Sequence, residues 1–304
     1  TGMFGEQCLQ GLVCRGHRLV CVVTQPDKRK NRGMHMEPTA IKKTALELKL
    51  TVYQPPDVNA ADSVSYLRSL KPDMLVVIAY GQKLSQPVLD IPLVMPLNIH
   101  ASLLPAFRGA APINWAIIRG KKTTGVTLMK ITLKMDAGPV IMQKQLDILQ
   151  ADTAVSLSQK LSVLSEDVLI QGIDSIEKGQ CQAQEQDESK ASFASKLKKT
   201  DGLINWGLPA AAIVNLVRGC IPWPGAYTYY KGKPVKIHSA SVLSGSSLGN
   251  NPAGQIAGVS AEGIVVAAGS GAVIVGSLQM AGKRIVSASE FAAGYRVKLQ
   301  DIFG

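Results

Sequence analysis

MPLNIHASLLPAFRG, from Met95 to Gly109, places an amide, Asn98, and an imidazole, His100, two residues apart on one short apolar run. Period-two alternation sends both side chains to the same side of a strand. Pro105 then stops any hydrogen-bonded ladder, so the run must break into a loop. Polar side chains at the end of an otherwise apolar strand are where open α/β sheets place their chemistry. Taken singly, His100 reads as a satisfied core histidine and Asn98 as a turn residue. Together, with the segments around them, they read as a site.

Outward from this strand, helical and strand patterns alternate. Thr1 to Gly5 reads as a turn, after which Leu9, Leu12 and Val13 share one helix face. Gly16 ends that helix, and Leu19 to Val23 reads as a short buried strand. Pro38 is placed to open a helix with Ile41, Ala45 and Leu48 along its apolar stripe. Val52 to Gln54 is a strand, and Val64 and Leu67 mark another helix. Met74 to Ala79 is a continuous apolar run, as expected of a strand buried on both faces. Tyr80 and Gly81 follow at its carboxyl end. This alternation predicts an α/β fold with a doubly wound, mostly parallel sheet. No G-x-G-x-x-G or P-loop accompanies it, which disfavours a dehydrogenase.

Beyond the central stretch, Ile113 to Arg119 reads as a short helix with Trp115 in the core. Gly125 to Ile131 and Val140 to Ile148 read as strands around the tight loop KMDAGP, which presents Asp136. Asp in a glycine-containing turn is ordinary turn chemistry, and by that logic alone Asp136 is structural. Leu157, Leu161, Leu164 and Val168 predict a packing helix capped at Asp152 or Thr153 and ended by Gly179. Residues 1–179 thus form one domain. The polar stretch 180–200 reads as a linker, and residues 201–304 as a second domain of short strands at 226–230, 235–241, 255–259, 263–267 and 272–280, fitting a small β-barrel.

At this point NIHASLLPAFRGAAPINW, followed further on by MDAG, resembles the formyltetrahydrofolate-dependent formyltransferases. The resemblance runs nearly end to end through TQPDKRKNRG, VVIAYG and NWG…IPWPGAYT. It is strongest to the branch that formylates methionyl initiator tRNA. It implies Asn98, His100 and Asp136 as the catalytic set, and Tyr80 and Gly81 beside the pteridine. Ser102, Leu103, Leu104 and Pro105 would form the folate-contacting segment, with Arg108 and Gly109 supporting it. It also implies 10-formyltetrahydrofolate as formyl donor, no metal, and an OB-like second domain. In that family an apolar strand precedes the TGMF segment. Here that strand is absent, so the chain is expected to start late, and any leader is left undetermined. Pro139 also departs from the acidic residue that many relatives carry after this turn.

The implied reaction is direct attack of the methionyl α-amine on the formyl carbon, through a tetrahedral species. It needs a donor for the oxyanion, a group to take the amine's proton, and something to fix that group. Asn98 can supply the first, His100 the second and Asp136 the third. The four histidines, His17, His35, His100 and His238, lack metal-ligand spacing.

Charge bears on the partner. The chain has 33 basic and 22 acidic residues, a formal charge of +11. Lys28, Arg29, Lys30 and Arg32 crowd a stretch flanked by Pro26 and Gly33, read as a loop that touches phosphate. In the family a basic loop here enters the tRNA acceptor arm. From Lys190 to Lys236 there are eight basic residues and one acid, Asp201. Lys196, Lys198 and Lys199 are candidate tRNA contacts within it. The five cysteines are odd in number and without metal spacing, which predicts buried free thiols and a reducing compartment. No stretch is long and apolar enough to span a membrane. A monomer is expected, in a bacterial cytosol or alternatively an organelle matrix. Three alternatives stay open: formyl transfer to a sugar nucleotide or small amine, formylfolate hydrolysis, or a non-catalytic RNA-binding module. The aromatic content of 5% argues against a base-stacking surface.

Overall fold

A computed structural model describes residues 2–30, 35–244 and 251–304. They form two compact units: Thr1–Pro112, Thr123–Asp147 and Ser158–Ala194 in the first, Ile113–Lys122, Ile148–Leu157 and Ser195–Gly304 in the second.

The first unit opens with α1 (Gly2–Cys14), which takes in the segment expected to be a turn; Phe4, Cys8, Leu9 and Leu12 are buried on it. β1 (Val22–Val23) follows. Lys28–Lys30, expected in a loop, form a strand: β2 (Lys28–Lys30) pairs antiparallel with β3 (His35–Glu37). Arg32 lies outside the described residues. α2 (Ala40–Glu47) is capped by the Thr39 hydroxyl, which accepts from Lys42 N, so Pro38 precedes the helix instead of opening it.

β4 (Val52–Tyr53) pairs parallel with β1. α3 (Ala61–Ser69), β5 (Met74–Val77), α4 (Gln86–Leu89) and β6 (Met95–His100) come next. β5 is half-buried along its length, where burial on both faces was expected. α5 (Pro112–Ile118), which from Ile113 on belongs to the second unit, β7 (Thr123–Lys130), β8 (Val140–Asp147) and α6 (Ala154–Glu177), whose first turn also does, follow in the chain.

The main sheet runs β5-β6-β7-β8. β5 and β6 are parallel, whereas β7 and β8 add on antiparallel. The turn at 131–139 joins β7 directly to β8, and a direct return of this kind forces antiparallel pairing. Parallel pairing therefore ends at β6, the strand that carries Asn98 and His100. α6 packs on β7 at Gly172, where a Cβ would collide with Leu128. Its cap is Thr153, whose hydroxyl accepts from Ser156 N at 3.2 Å.

In the second unit, α7 (Ala210–Gly219) buries Ile213 and Val217 against a sheet of β9 (Ala226–Tyr230), β10 (Lys233–Val242), β11 (Ile256–Val259), β12 (Ile264–Ala267) and β13 (Ala272–Met280). β14 (Val286–Ser287) pairs with β13 and leads into α8 (Ala288–Tyr295). The order is β11-β12-β13-β10-β9, antiparallel throughout. The last residues close it: Phe303 bridges Tyr230 of β9, and Ile302 bridges Gln255 beside β11. Buried Phe303 stacks on Trp206 at 5.9 Å inside the resulting barrel. Trp115 belongs to this unit and is half-buried, not in the core. Its indole N–H donates to Ser195 O, and Arg119 lies over its ring.

Only Cys8 and Cys220 among the five free thiols are buried. Burial, with Glu166 near Cys8 and Asp201 near Cys220, pushes both up to about 12. Among the described residues no helix is long and apolar enough to cross a membrane.

Candidate active site

β6 carries the first two candidate groups. Asn98 sits opposite Val77 and Met129, and His100 opposite Thr127, so the two side chains share one face of the sheet. The Asn98 amide is half-buried and makes no protein hydrogen bond among the described residues. His100 is 7% exposed.

The loop after β6 folds back onto His100. Phe107, at φ +60°, turns its carbonyl toward the ring, and Nε2 lies 2.9 Å from that oxygen. A carbonyl only accepts, so Nε2 carries a proton. In the neutral imidazole the lone pair is then on Nδ1. That nitrogen faces Asp136 Oδ2 at 3.7 Å. Asp136 lies in the 131–139 turn with a left-handed φ of +50°, and Gly109 N–H donates to its Oδ2 at 2.8 Å. In that neutral form two acceptors confront each other, whereas a protonated ring would turn an N–H toward the carboxylate.

The segment expected to contact folate looks inward more than its sequence suggests. Ser102 is fully buried; its hydroxyl donates to Ala106 O at 2.6 Å, and its carbonyl accepts from Thr127 Oγ1. Leu104 is buried, its N–H donated to Thr127 Oγ1 and its carbonyl taken by Gln143 Nε2. These bonds fix the loop to β7 and β8. Leu103 and Pro105 remain half-buried at its edge. Tyr80 packs against the cluster of Val58, Val64, Leu67, Val88 and Ile91, and its buried hydroxyl has no hydrogen-bond partner among the described residues. Burial, then the Asp57 charge and the Tyr53 phenol, raises that hydroxyl above the usual phenol range. Gly81, exposed at φ +88°, leaves no room for a Cβ beside Gln25 Nε2.

The polar stretch expected to be a linker is built into this site up to Ala194. Ser192 Oγ accepts from Phe107 N at 2.9 Å, and Ala194 N donates to Arg108 O at 2.7 Å. Arg108, 2% exposed, spends its guanidinium on Gln186 and Glu188. Gln186 Nε2 in turn donates to Asp136 O at 2.9 Å and Gly138 O at 2.7 Å. The Arg108 guanidinium and then the Lys134 ammonium hold the Glu188 carboxyl down at about 2. Gln186, Glu188 and Ser192 escape sequence reading because nothing about a polar, aperiodic tract says what it docks against.

The candidate tRNA contacts fall on both units. Lys28, Arg29 and Lys30 form β2 of the first. Lys196, Lys198 and Lys199 are all exposed in the second.

Known proteins agree with this architecture. Residues 1–173 match the formyl transferase family and residues 196–296 its C-terminal domain. The methionyl-tRNA formyltransferase of Citrifermentans bemidjiense is 38% identical over 100% of this chain and 94% of its own length. That of Halothermothrix orenii is 42% identical over 95% and 93%. An N-formyltransferase from Helicobacter canadensis, solved with folinic acid and dTDP-3-aminofucose, shares the fold at a TM-score of 0.69 and 17% identity, covering 91% of this chain and 96% of that one. With both domains matched and its whole length aligned at such identities, the chain belongs to the formyltransferase family, in its methionyl-tRNA formyltransferase branch.

Proposed function

We propose that Asn98, His100 and Asp136 carry formyl transfer to the α-amine of methionyl initiator tRNA. One observation supports this most: His100 Nδ1 and Asp136 Oδ2 face each other at 3.7 Å, on the strand face that also carries the unpartnered Asn98 amide. Bound 10-formyltetrahydrofolate supplies the formyl carbon that the amine attacks and N10 as its leaving group. The residues fit such a donor by their edges: exposed backbone at Gly81, half-buried Leu103 and Pro105, and an Asn98 amide that makes no hydrogen bond among the described residues.

The carbonyl oxygen gains negative charge as the new C–N bond forms, and the Asn98 N–H donates to it. Such a donor is worth ~3 kcal/mol in acyl transfer. The amine must shed a proton. His100 Nδ1 accepts it, because Nε2 is already protonated against Phe107 O. The imidazolium so formed keeps its new N–H toward the Asp136 carboxylate, which stabilises it. His100 then returns the proton to the departing nitrogen, so the site ends as it began.

The basic hairpin of the first unit and Lys196, Lys198 and Lys199 of the second would bind tRNA phosphates, the second unit acting chiefly as an RNA-binding domain. We take the protein to act as a monomer in a bacterial-type cytosol, in line with the sources of its relatives. The test is an assay with 10-formyltetrahydrofolate and charged initiator tRNA, beside free methionine and a sugar-nucleotide amine. Turnover confined to the tRNA supports the assignment; preference for the sugar amine overturns it.

A further inference from the structure

We infer that Gln186 is a positioning residue for formyl transfer: its side-chain amide is a crossbar that holds the Asp136 turn against the Arg108 end of the His100 loop. This rests on the catalytic roles given above to His100 and Asp136.

Four bonds meet at that amide. Oε1 accepts from Arg108 Nε at 3.1 Å and Nη2 at 2.7 Å, while Nε2 donates to Asp136 O at 2.9 Å and Gly138 O at 2.7 Å. The orientation is unique. A guanidinium only donates and carbonyls only accept, so a flipped amide would set donors against donors and oxygen against oxygen. Apart from a long 4.0 Å contact of Nε2 with Met129 Sδ, the hydrogen-bonding capacity of the side chain is spent on these two segments.

The turn needs such a hold. Asp136 sits at φ +50°, a left-handed conformation that Asp tolerates better than most residues but that still benefits from bonds holding it. At Gly138, two residues on, a Cβ would strike Lys130 O, so the turn lies hard against the end of β7. Gly109 N–H fixes the carboxylate of Asp136, and Gln186 fixes its backbone. Gly109 directly follows Arg108, so both tethers start from the same end of the loop. The Asp136 side of the His100–Asp136 gap is therefore held by three bonds from one support, and Gln186 supplies the two not made by the Gly109 main chain.

Two substitutions separate positioning from plain docking of the 180–194 segment. Gln186→Glu keeps the Arg108 partner but replaces Nε2, with its two N–H donors, by one oxygen facing two carbonyls. Gln186→Met removes both sets of bonds. A positioning role predicts that Gln186→Glu loses about 10- to 100-fold in kcat, at least as much as Gln186→Met, with KM for 10-formyltetrahydrofolate and for tRNA within about twofold of wild type. A docking role predicts the reverse, a near-normal Gln186→Glu and a damaged Gln186→Met, and that result overturns the inference. So does a kcat loss that only tracks a smaller folded fraction by circular dichroism. Gln186→Asn, one methylene too short to reach both partners, serves where either variant does not fold; a full rate there also overturns it. An inactive His100→Ala beside a full-rate Gln186→Glu sinks this inference alone. An active His100→Ala sinks the catalytic assignment beneath it.

Discussion

Gly109 N–H donates to Asp136 Oδ2 at 2.8 Å, tying the end of the loop that follows His100 to the turn that carries the carboxylate. Through this bond a residue of ordinary turn chemistry joins the candidate site. The same oxygen faces His100 Nδ1, so the carboxylate can answer the charge that a protonated imidazole brings.

Asn98 is assigned a role only in the transition state, so its loss is expected in kcat more than in binding. Asn98→Ala should lower kcat by about 10²- to 10³-fold. The dissociation constant for the folate, measured by fluorescence quenching, should change far less. Equal losses in both would make Asn98 a binding residue.

The Lys28–Lys30 strand and Arg32 are assigned to tRNA phosphates. Neutralising all four should raise the KM for tRNA and flatten its dependence on salt by about 0.9 per lost contact with duplex phosphate. The folate KM should not move. A change confined to the folate would mean that the hairpin serves the other substrate.

Much of this was legible in the chain itself. The apolar alternation of Met95–His100 marks β6 and puts Asn98 and His100 on one face, because strand periodicity is a local property. β9 and β13 fall on the residues their turn signals bracket. What escaped depends on distant partners. The β2–β3 hairpin is masked by its own charge, since lysines and arginines carry no apolar alternation. α7 and α8 lie in a stretch whose glycines and short strands draw attention away from helical spacing. The tract holding Gln186 and Ser192 looks like a spacer because its contacts are with residues some eighty positions earlier. Barrel closure by Ile302 and Phe303 is likewise invisible until the strands they bridge are in place.

That closure carries weight. Phe303 is fully buried against Trp206 and Tyr230. Phe303→Ala should cost about 3–5 kcal/mol, from lost burial and a cavity. Chemical denaturation of the second unit's transition measures it; a change under 1 kcal/mol, within ordinary surface scatter, would argue against closure as a source of stability.

Glu188 links stability to acid. Its carboxyl is depressed from 4.5 to about 2 by Arg108 and Lys134. A depressed acid contributes stability that is fully present above its unfolded value and is lost as pH falls through its folded value. Wild type should therefore lose stability between about pH 4.5 and 2 more steeply than Glu188→Gln, as followed by thermal melting across that window. Parallel curves would show that the pair has no effect on folding.

The most direct test of the account is the single-turnover rate of formyl transfer to methionyl initiator tRNA by His100→Ala, at saturating 10-formyltetrahydrofolate. With no side chain left at position 100 to take the amine's proton, the rate should fall by about 10²- to 10⁴-fold while the variant melts as a folded protein. A folded His100→Ala that transfers formyl at the wild-type rate would contradict the account.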